Sequence, residues 1–209
     1  MTVEVFWDVD TQVDFMLPHG KLYVNGAETL APNLARLTRY AHDNGIRILA
    51  SSDNHDPDDE EISENPDFQS TFPPHCLRGT RGQARIAETT LRNPLVVEPE
   101  QGASDVLARL ARHDGDVLFH KRFFDVFTNP NVAPVLRALR ITDVFLYGVA
   151  LDVCNRYAVE GLLAKFPDIS LSVVTDAVRA LDENGRAALF ENWQARGVML
   201  KLTEEVLQR

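Results

Sequence analysis

Short apolar runs alternate with amphipathic helical segments along almost the whole chain, and this alternation is what most constrains the fold. Runs at 3–9 (VEVFWDV), 46–51 (IRILAS), 95–98 (LVVE), 116–120 (DVLFH), 143–149 (DVFLYGV), 170–175 (SLSVVT) and 198–201 (VMLK) have strand length and strand residues. Between the first two, Leu30, Leu34, Leu37 and Ala41 recur on one helical face, and the segment 28–45 closes on Asn44-Gly45, a good C-terminal stop. Further helices are expected over 103–115, 129–140, 152–166 and 183–197, with a helical turn at the C-terminal end. Short apolar strands separated by helices predict a mostly parallel central sheet covered on both faces, a three-layer α/β/α architecture. With no internal repeat, low-complexity tract or long linker, 1–209 reads as a single domain around one core.

Charge narrows the partners. Lys and Arg total 21 against 31 Asp and Glu, a formal net charge of −10. Nucleic acid and anionic membranes both need a basic footprint, so neither is expected as a partner. The longest fully apolar run, 144–151, is far short of the roughly 20 residues that span a bilayer. The opening MTVEVFWDVD lacks a cationic, apolar, cleavable pattern, and two cysteines cannot make a disulfide framework. A reducing cytoplasm is the expectation, and the charge says nothing positive about the substrate.

Residues 53–83 are rich in Asp, Glu, Pro and Gly without a sustained period, so they read as a loop of unusual length, which is more often functional than accidental. Ligands of open α/β sheets sit beyond the carboxyl ends of the strands. Those ends carry Asp10, Asp53 with His55, Lys121 and Cys154. A thiol at the start of a helix meets the positive end of the dipole and unpaired N–H groups, which favour thiolate, and N–H groups of Cys154 and the turn near Ala150 could hold an oxyanion. Asp10 could take the thiol proton and Lys121 could hold the charges. Taken singly, Cys154 reads as a buried core thiol, Asp10 as a strand-end acid and Lys121 as a solvated cap; their joint placement at one sheet edge points towards catalysis.

Asp53, His55 and His75 offer carboxylate and imidazole ligands, a set suited to zinc, iron or manganese, with a further acid from Glu60, Glu61 or Glu64. Cys76 is left out, because neighbours on extended backbone point to opposite sides. His19, His42, His113 and His120 have no comparable setting.

Three segments then resemble a known family. DVDTQVDF (8–15), HKRFFDVF (120–127) and GVALDVC (148–154) are similar, in order, to the aspartate, lysine and cysteine motifs of the isochorismatase-like cysteine hydrolases, over nearly the whole chain. The resemblance implies a parallel α/β sheet flanked by helices and a triad of Asp10, Lys121 and Cys154. It implies a cis peptide between Val149 and Ala150 that helps aim the Ala150 and Cys154 N–H groups. DNH (53–55) followed by FPPHCLRGT (72–80) resembles the nicotinamidases in particular. That implies one divalent ion, zinc first and iron or manganese as alternatives, on Asp53, His55 and His75, contacting the ring nitrogen of the substrate. Many nicotinamidases have a further His in this loop. Here none occurs from 56 to 74, and Glu61 is the nearest match, with Glu64 second. The resemblance also implies a flat pocket lined by Phe15, Phe72 and Phe127, and a homo-oligomer. Asp8 ahead of the opening motif and Asn155-Arg156-Tyr157 after Cys154 depart from the commonest pattern. The expected activity is hydrolysis of nicotinamide to nicotinate and ammonia through a Cys154 thioester. Other small amide or carbamoyl substrates, hydrolysis by metal-activated water, and a non-catalytic metal-binding homologue remain alternatives.

Overall fold

A computed structural model describes residues 2–208. Seven strands form one sheet in the order β3-β4-β2-β1-β5-β6-β7, every neighbouring pair parallel. They are β1 Glu4–Val9, β2 Arg47–Asp53, β3 Leu95–Val97, β4 Val117–Lys121, β5 Asp143–Val149, β6 Ser170–Arg179 and β7 Met199–Lys201. The helices are α1 Val13–Met16, α2 Ala31–Asp43, α3 Ala103–Leu110, α4 Val132–Leu139, α5 Cys154–Lys165, α6 Arg186–Ala195 and α7 Thr203–Leu207. The expected mostly parallel sheet is thus wholly parallel, and no helix among the described residues is long and apolar enough to cross a membrane.

Parallel strands need crossovers, and right-handed crossovers running in opposite directions from the middle of the sheet lie on opposite faces. Accordingly α2 meets α7 on one face, while α3 meets α4 and α5 meets α6 on the other, where Trp193 of α6 donates to Glu160 of α5 at 3.1 Å. The central strand β1 is buried from Val5 onward. Its Phe6 ring stacks over Tyr40 of α2, and its Trp7 ring lies against Phe119 and Phe127. Neighbouring residues of one strand thus fill separate halves of the core, because side chains alternate across the sheet.

Several element boundaries differ from the sequence expectation for local reasons. α3 stops at Leu110, where Arg112 and His113 N–H groups turn back to the carbonyls three residues earlier and His113 Nε2 lies 2.9 Å from the Asp116 carbonyl. β6 runs on past Thr175 to Arg179 through an irregular register opposite Leu146 and Gly148. β2 and β4 reach Asp53 and Lys121, so both of these residues are strand residues. The long loop carries no regular element until the short 3₁₀ turn Ala87–Thr89, but bridges join His55 to Leu77 and Ile62 to Phe72.

Among the glycines demanded by close packing, two bear on the site. Gly148 has φ +116°, and a Cβ there would lie 2.0 Å from the Val9 carbonyl oxygen, so only glycine lets β5 pass β1 just before the site. A Cβ on Gly161 of α5 would lie 2.2 Å from the Phe127 ring.

Candidate active site

The strand order reverses direction between β1 and β5, and the groups of interest gather at the carboxyl ends beside that crevice. Register does part of the work. Asp53 and Lys121 are direct partners in the β2–β4 ladder, so their side chains leave the sheet side by side, and Lys121 Nζ donates to Asp53 Oδ1. The same ammonium lies 3.0 Å from Asp10 Oδ2 and 3.7 Å from Cys154 Sγ. Asp10 follows β1 at φ +49°, a left-handed conformation uncommon for a residue with a side chain. Its N–H donates to the Ser51 carbonyl at 3.2 Å, and its Oδ1 accepts from Ser51 Oγ at 2.7 Å.

Cys154 opens α5 and is almost fully buried. The peptide Val149–Ala150 is cis. In the following turn, the Leu151 N–H donates to Arg179, and those of Val153 and Asn155 to the Ala150 carbonyl. The N–H groups of Ala150 and Cys154 take no part in these bonds.

Electrostatics correct one expectation. Burial pushes the Cys154 thiol well above its ordinary range; Lys121 pulls it back, while Asp10 and Asp53 add to the rise. Burial, with two carboxylates sharing the one buried ammonium, therefore works against the thiolate that the helix start favours. Burial would lower Lys121, but Asp10 and Asp53 hold it well above normal and charged. Burial raises Asp10 despite Lys121, and Asp53 raises it further. Burial also opposes the Asp53 carboxylate, yet Lys121 and the two histidines outweigh it and keep Asp53 well below the usual range. The pair thus divides into a permanent anion, Asp53, and a more basic carboxylate, Asp10, beside the thiol.

Asp53 uses its other oxygen on a second cluster. Asp53, His55, Glu61 and His75 each present one ligand atom, all within 4.8 Å of one another and all buried. His75 Nε2 is 3.6 Å from Asp53 Oδ2 and 3.8 Å from Glu61 Oε1; His55 Nε2 is 3.9 Å from both carboxylates. These gaps exceed hydrogen-bond length. They approach the spacing of about 3.4 Å expected between neighbouring tetrahedral ligands whose bonds are about 2.1 Å. His55 Nε2 and Glu61 Oε2 are buried without hydrogen-bond partners, while the other nitrogens are engaged: His75 Nδ1 with the Pro73 carbonyl at 2.8 Å and His55 Nδ1 with Asp59 at 3.4 Å. Histidines fixed through one nitrogen with the other free and convergent suit a divalent metal, and the four residues fit one. Of the three candidate acids, Glu61 is the one in the cluster, and Glu64 borders a separate groove. Cys76 points away, its Sγ 4.0 Å from the Gly82 carbonyl.

One narrow, partly open cavity touches both clusters. Asp53, Glu61, His75, Ala150 and Cys154 line it with the apolar Phe15, Leu22, Val24, Phe72, Phe124, Val153 and Leu181. Phe15 and Phe72 are among the lining residues, with rings 5.3 and 6.4 Å from that of His75. Phe127 does not line this cavity. Its ring fills the space left by Gly161 and packs against Trp7 and Phe166, and Phe124 faces the cavity instead. The segment HKRFFDVF holds three phenylalanines, and the 3₁₀ turn Val126–Thr128 carries Phe127 into the space beside Gly161.

Gln12 was not singled out from the sequence. Fully buried, it exchanges hydrogen bonds with the Asp53 backbone, donating to its carbonyl at 2.8 Å and accepting its N–H at 2.7 Å, and so locks the end of β2 to the turn after Asp10. Its place between the two aspartates of the opening motif was the available signal.

The comparisons agree with this architecture. The isochorismatase domain model matches residues 8–205. The nicotinamidase/pyrazinamidase of Mycobacterium tuberculosis (strain ATCC 25618 / H37Rv) is 27% identical over 201 residues, covering 88% of this chain and 94% of its own. The fold is shared with the pyrazinamidase of Pyrococcus horikoshii in complex with zinc, at TM-score 0.76 and 21% identity over 96% of this chain and 99% of that one. It is shared too with the N-carbamoylsarcosine amidase of Thermoplasma acidophilum, at TM-score 0.72 and 23% identity over 98% of each chain. With the family model spanning nearly every described element of the sheet and both clusters, this chain belongs to the isochorismatase family.

Proposed function

We propose that this chain is a metal-containing cysteine amidohydrolase that converts nicotinamide to nicotinate and ammonia. The observation that carries the reading is the single cavity in which Cys154 faces an Asp/His/Glu/His ligand set across an aromatic-walled gap, with Asp53 shared by both. The likeness to the mycobacterial nicotinamidase/pyrazinamidase supports the same substrate class. A divalent ion, zinc first, held by Asp53, His55, Glu61 and His75 would supply a Lewis-acid contact for a ring nitrogen.

The residues of the chain then perform the chemistry. Phe15, Phe72 and Phe124 sandwich the ring and exclude water. Asp10, the more basic carboxylate, takes the Cys154 proton as sulfur attacks the amide carbon, so no thiolate has to persist at rest. The carbonyl oxygen becomes an oxyanion facing the Ala150 and Cys154 N–H groups. Collapse breaks the C–N bond, and Asp10 returns its proton to the departing ammonia. Water, deprotonated by Asp10, cleaves the resulting thioester, releasing nicotinate and restoring the thiol. Lys121 stays charged throughout and balances the changing charge of Asp10 and sulfur.

The cavity also bears on the choice among amides. Its ionisable lining besides Cys154 is Asp53, Glu61 and His75, with no arginine or lysine, and the nearby Lys121 is committed to two aspartates. A substrate carrying its own carboxylate finds no free cationic side chain there, and with the ion engaged by a ring nitrogen this favours a neutral aromatic carboxamide over carbamoyl amino acids. Ammonia release from nicotinamide by the metal-loaded protein tests this, with turnover of about 1 per second or faster expected. No release, alongside turnover of a carbamoyl amino acid, would reject the substrate and keep the triad.

A further inference from the structure

Close to Asp10 in the chain, and not among the residues lining the cavity, lies a second buried ion pair that the reaction does not use. Asp8 is fully buried in β1, and Arg85 Nη2 donates to its carboxylate. Arg85 is itself tied to four further groups. Nη2 donates to Thr11 Oγ1 at 2.7 Å, Nη1 to the Ser51 carbonyl at 3.3 Å and to Ser52 Oγ at 3.4 Å, and Nε to the Thr89 carbonyl at 3.2 Å. Thr11 adds bonds to Asp8 at 2.9 Å and to Thr89 at 2.7 Å.

These partners surround Asp10 in the chain and in space. Asp8 precedes it by two residues, Thr11 follows it, and Ser51 supplies both the carbonyl that receives its N–H and the hydroxyl that donates to its Oδ1. The Ser51 carbonyl is thus shared between Asp10 and Arg85. Asp10 needs such support, because a non-glycine residue at φ +49° persists only where its surroundings over-determine it. A planar guanidinium with five donors can bind all these groups at once, which a lysine cannot.

We propose that Arg85, through Asp8 and Thr11, is a positioning residue for the proton-transferring carboxylate: it clamps both flanks of Asp10 and the strand it bonds to, and thereby sets where Oδ2 stands relative to Lys121 and Cys154. The role rests on the triad reading above. Asp8 and Arg85 come from distant segments, and Asp8 is a point at which the opening motif departs from the commonest family pattern. The clamp therefore joins two features of this chain that neither motif explains alone.

The test compares wild type with the double variant Asp8→Leu/Arg85→Met, which removes both charges and leaves neither buried alone, and with Thr11→Val, which keeps the pair and deletes one arm of the clamp. Three quantities are read well below each melting temperature: kcat and KM for nicotinamide, metal content, and the rate of Cys154 modification by iodoacetamide followed by mass spectrometry. The expectation for the double variant is a kcat at least tenfold lower with KM within twofold, unchanged metal content, and Cys154 modification slowed in proportion. Thr11→Val should show a loss of about threefold in the same quantities. A folded double variant with a lower melting temperature but kcat and modification rate within twofold of wild type would overturn the role and leave the pair merely stabilising. If the double variant does not fold, Thr11→Val decides by the same criteria. Wild type that loses its Cys154 thiol but releases no ammonia would reject nicotinamide, while the modification rates still decide on Arg85. Wild type that does neither would overturn both readings.

Discussion

The two halves of the site are built by different means. Asp10, Lys121 and Cys154 stand at the ends of β1 and β4 and at the start of α5, where ladder register and a helix start fix the backbone before any side chain is considered. His55, Glu61 and His75 come from an irregular loop held by scattered bonds: Phe72 N–H to the Glu61 carbonyl at 2.7 Å, Cys76 N–H to Asp14 at 2.7 Å, and Asp59 against His55. The sheet half tolerates little displacement because its backbone is packed on both faces. The loop half is over-determined only once an ion ties its ligands together, since His55 Nε2 and Glu61 Oε2 otherwise lack partners. Asp53, the last residue of β2, belongs to both halves.

The largest expected effect separates the halves. Cys154→Ala should lower turnover at least about 10³-fold while metal content stays at wild-type level, read by ammonia release and elemental analysis. Retained turnover would assign the chemistry to the loop half and to metal-activated water. Asp53→Asn should damage both halves at once, with metal lost and turnover down about 10²-fold or more even after metal is resupplied, because Lys121 keeps only Asp10 as counter-charge. Metal loss with unimpaired chemistry would show the halves to be independent.

A pair of phenylalanines sharpens the line between site and core. Phe127→Ala should cost about 3 kcal/mol of stability in a denaturant titration with KM unchanged, since its ring fills the Gly161 space. Phe124→Ala should raise KM and cost less stability. The reverse outcome would restore Phe127 to the pocket. Asp59→Ala frees His55 Nδ1 and should weaken metal binding about 10- to 100-fold in a chelator competition without changing the Cys154 modification rate.

The smallest effect is confined to the loop tip. Backbone N–H groups of Gln69, Thr71 and Ser70 converge on the exposed Asp67 carboxylate and hold it well below its ordinary value of 3.8. A depressed folded value means that the stabilisation is complete above about pH 4 and is lost as pH falls towards the depressed value. The protection of the amides at 69–71, relative to their intrinsic exchange rates, should therefore fall in acid and hold near neutrality, and Asp67→Ala should lower it at every pH. Equal protection in the variant would show the turn to be held by other contacts.

Much of this was legible in the sequence. Strand and helix periodicity sufficed for the layers, since apolar patterning and crossover chirality leave few alternatives for such a chain. Strand-end polar residues sufficed for the convergence of Asp10, Asp53, Lys121 and Cys154, because a parallel sheet brings its carboxyl ends together whatever the intervening loops do. The motif resemblance pointed to His55, His75 and Glu61, with Glu64 as second choice, and the loop geometry brings Glu61 together with Asp53, His55 and His75.

What the sequence could not determine depends on distance in the chain and on charge balance in space. The raised Cys154 thiol follows from its burial, with one ammonium shared by two carboxylates from separate segments, and local helix-start reasoning pointed the other way. The choice of Phe124 over Phe127 turns on an absent Cβ 34 residues further on, at Gly161. The pairing of Asp8 with Arg85 joins residues 77 apart that meet only once β1, β2 and the segment after the long loop are assembled. Periodicity records which way a side chain faces relative to its own strand or helix. Which distant group it meets, and which of them keeps the proton, was decided only when the sheet closed around them.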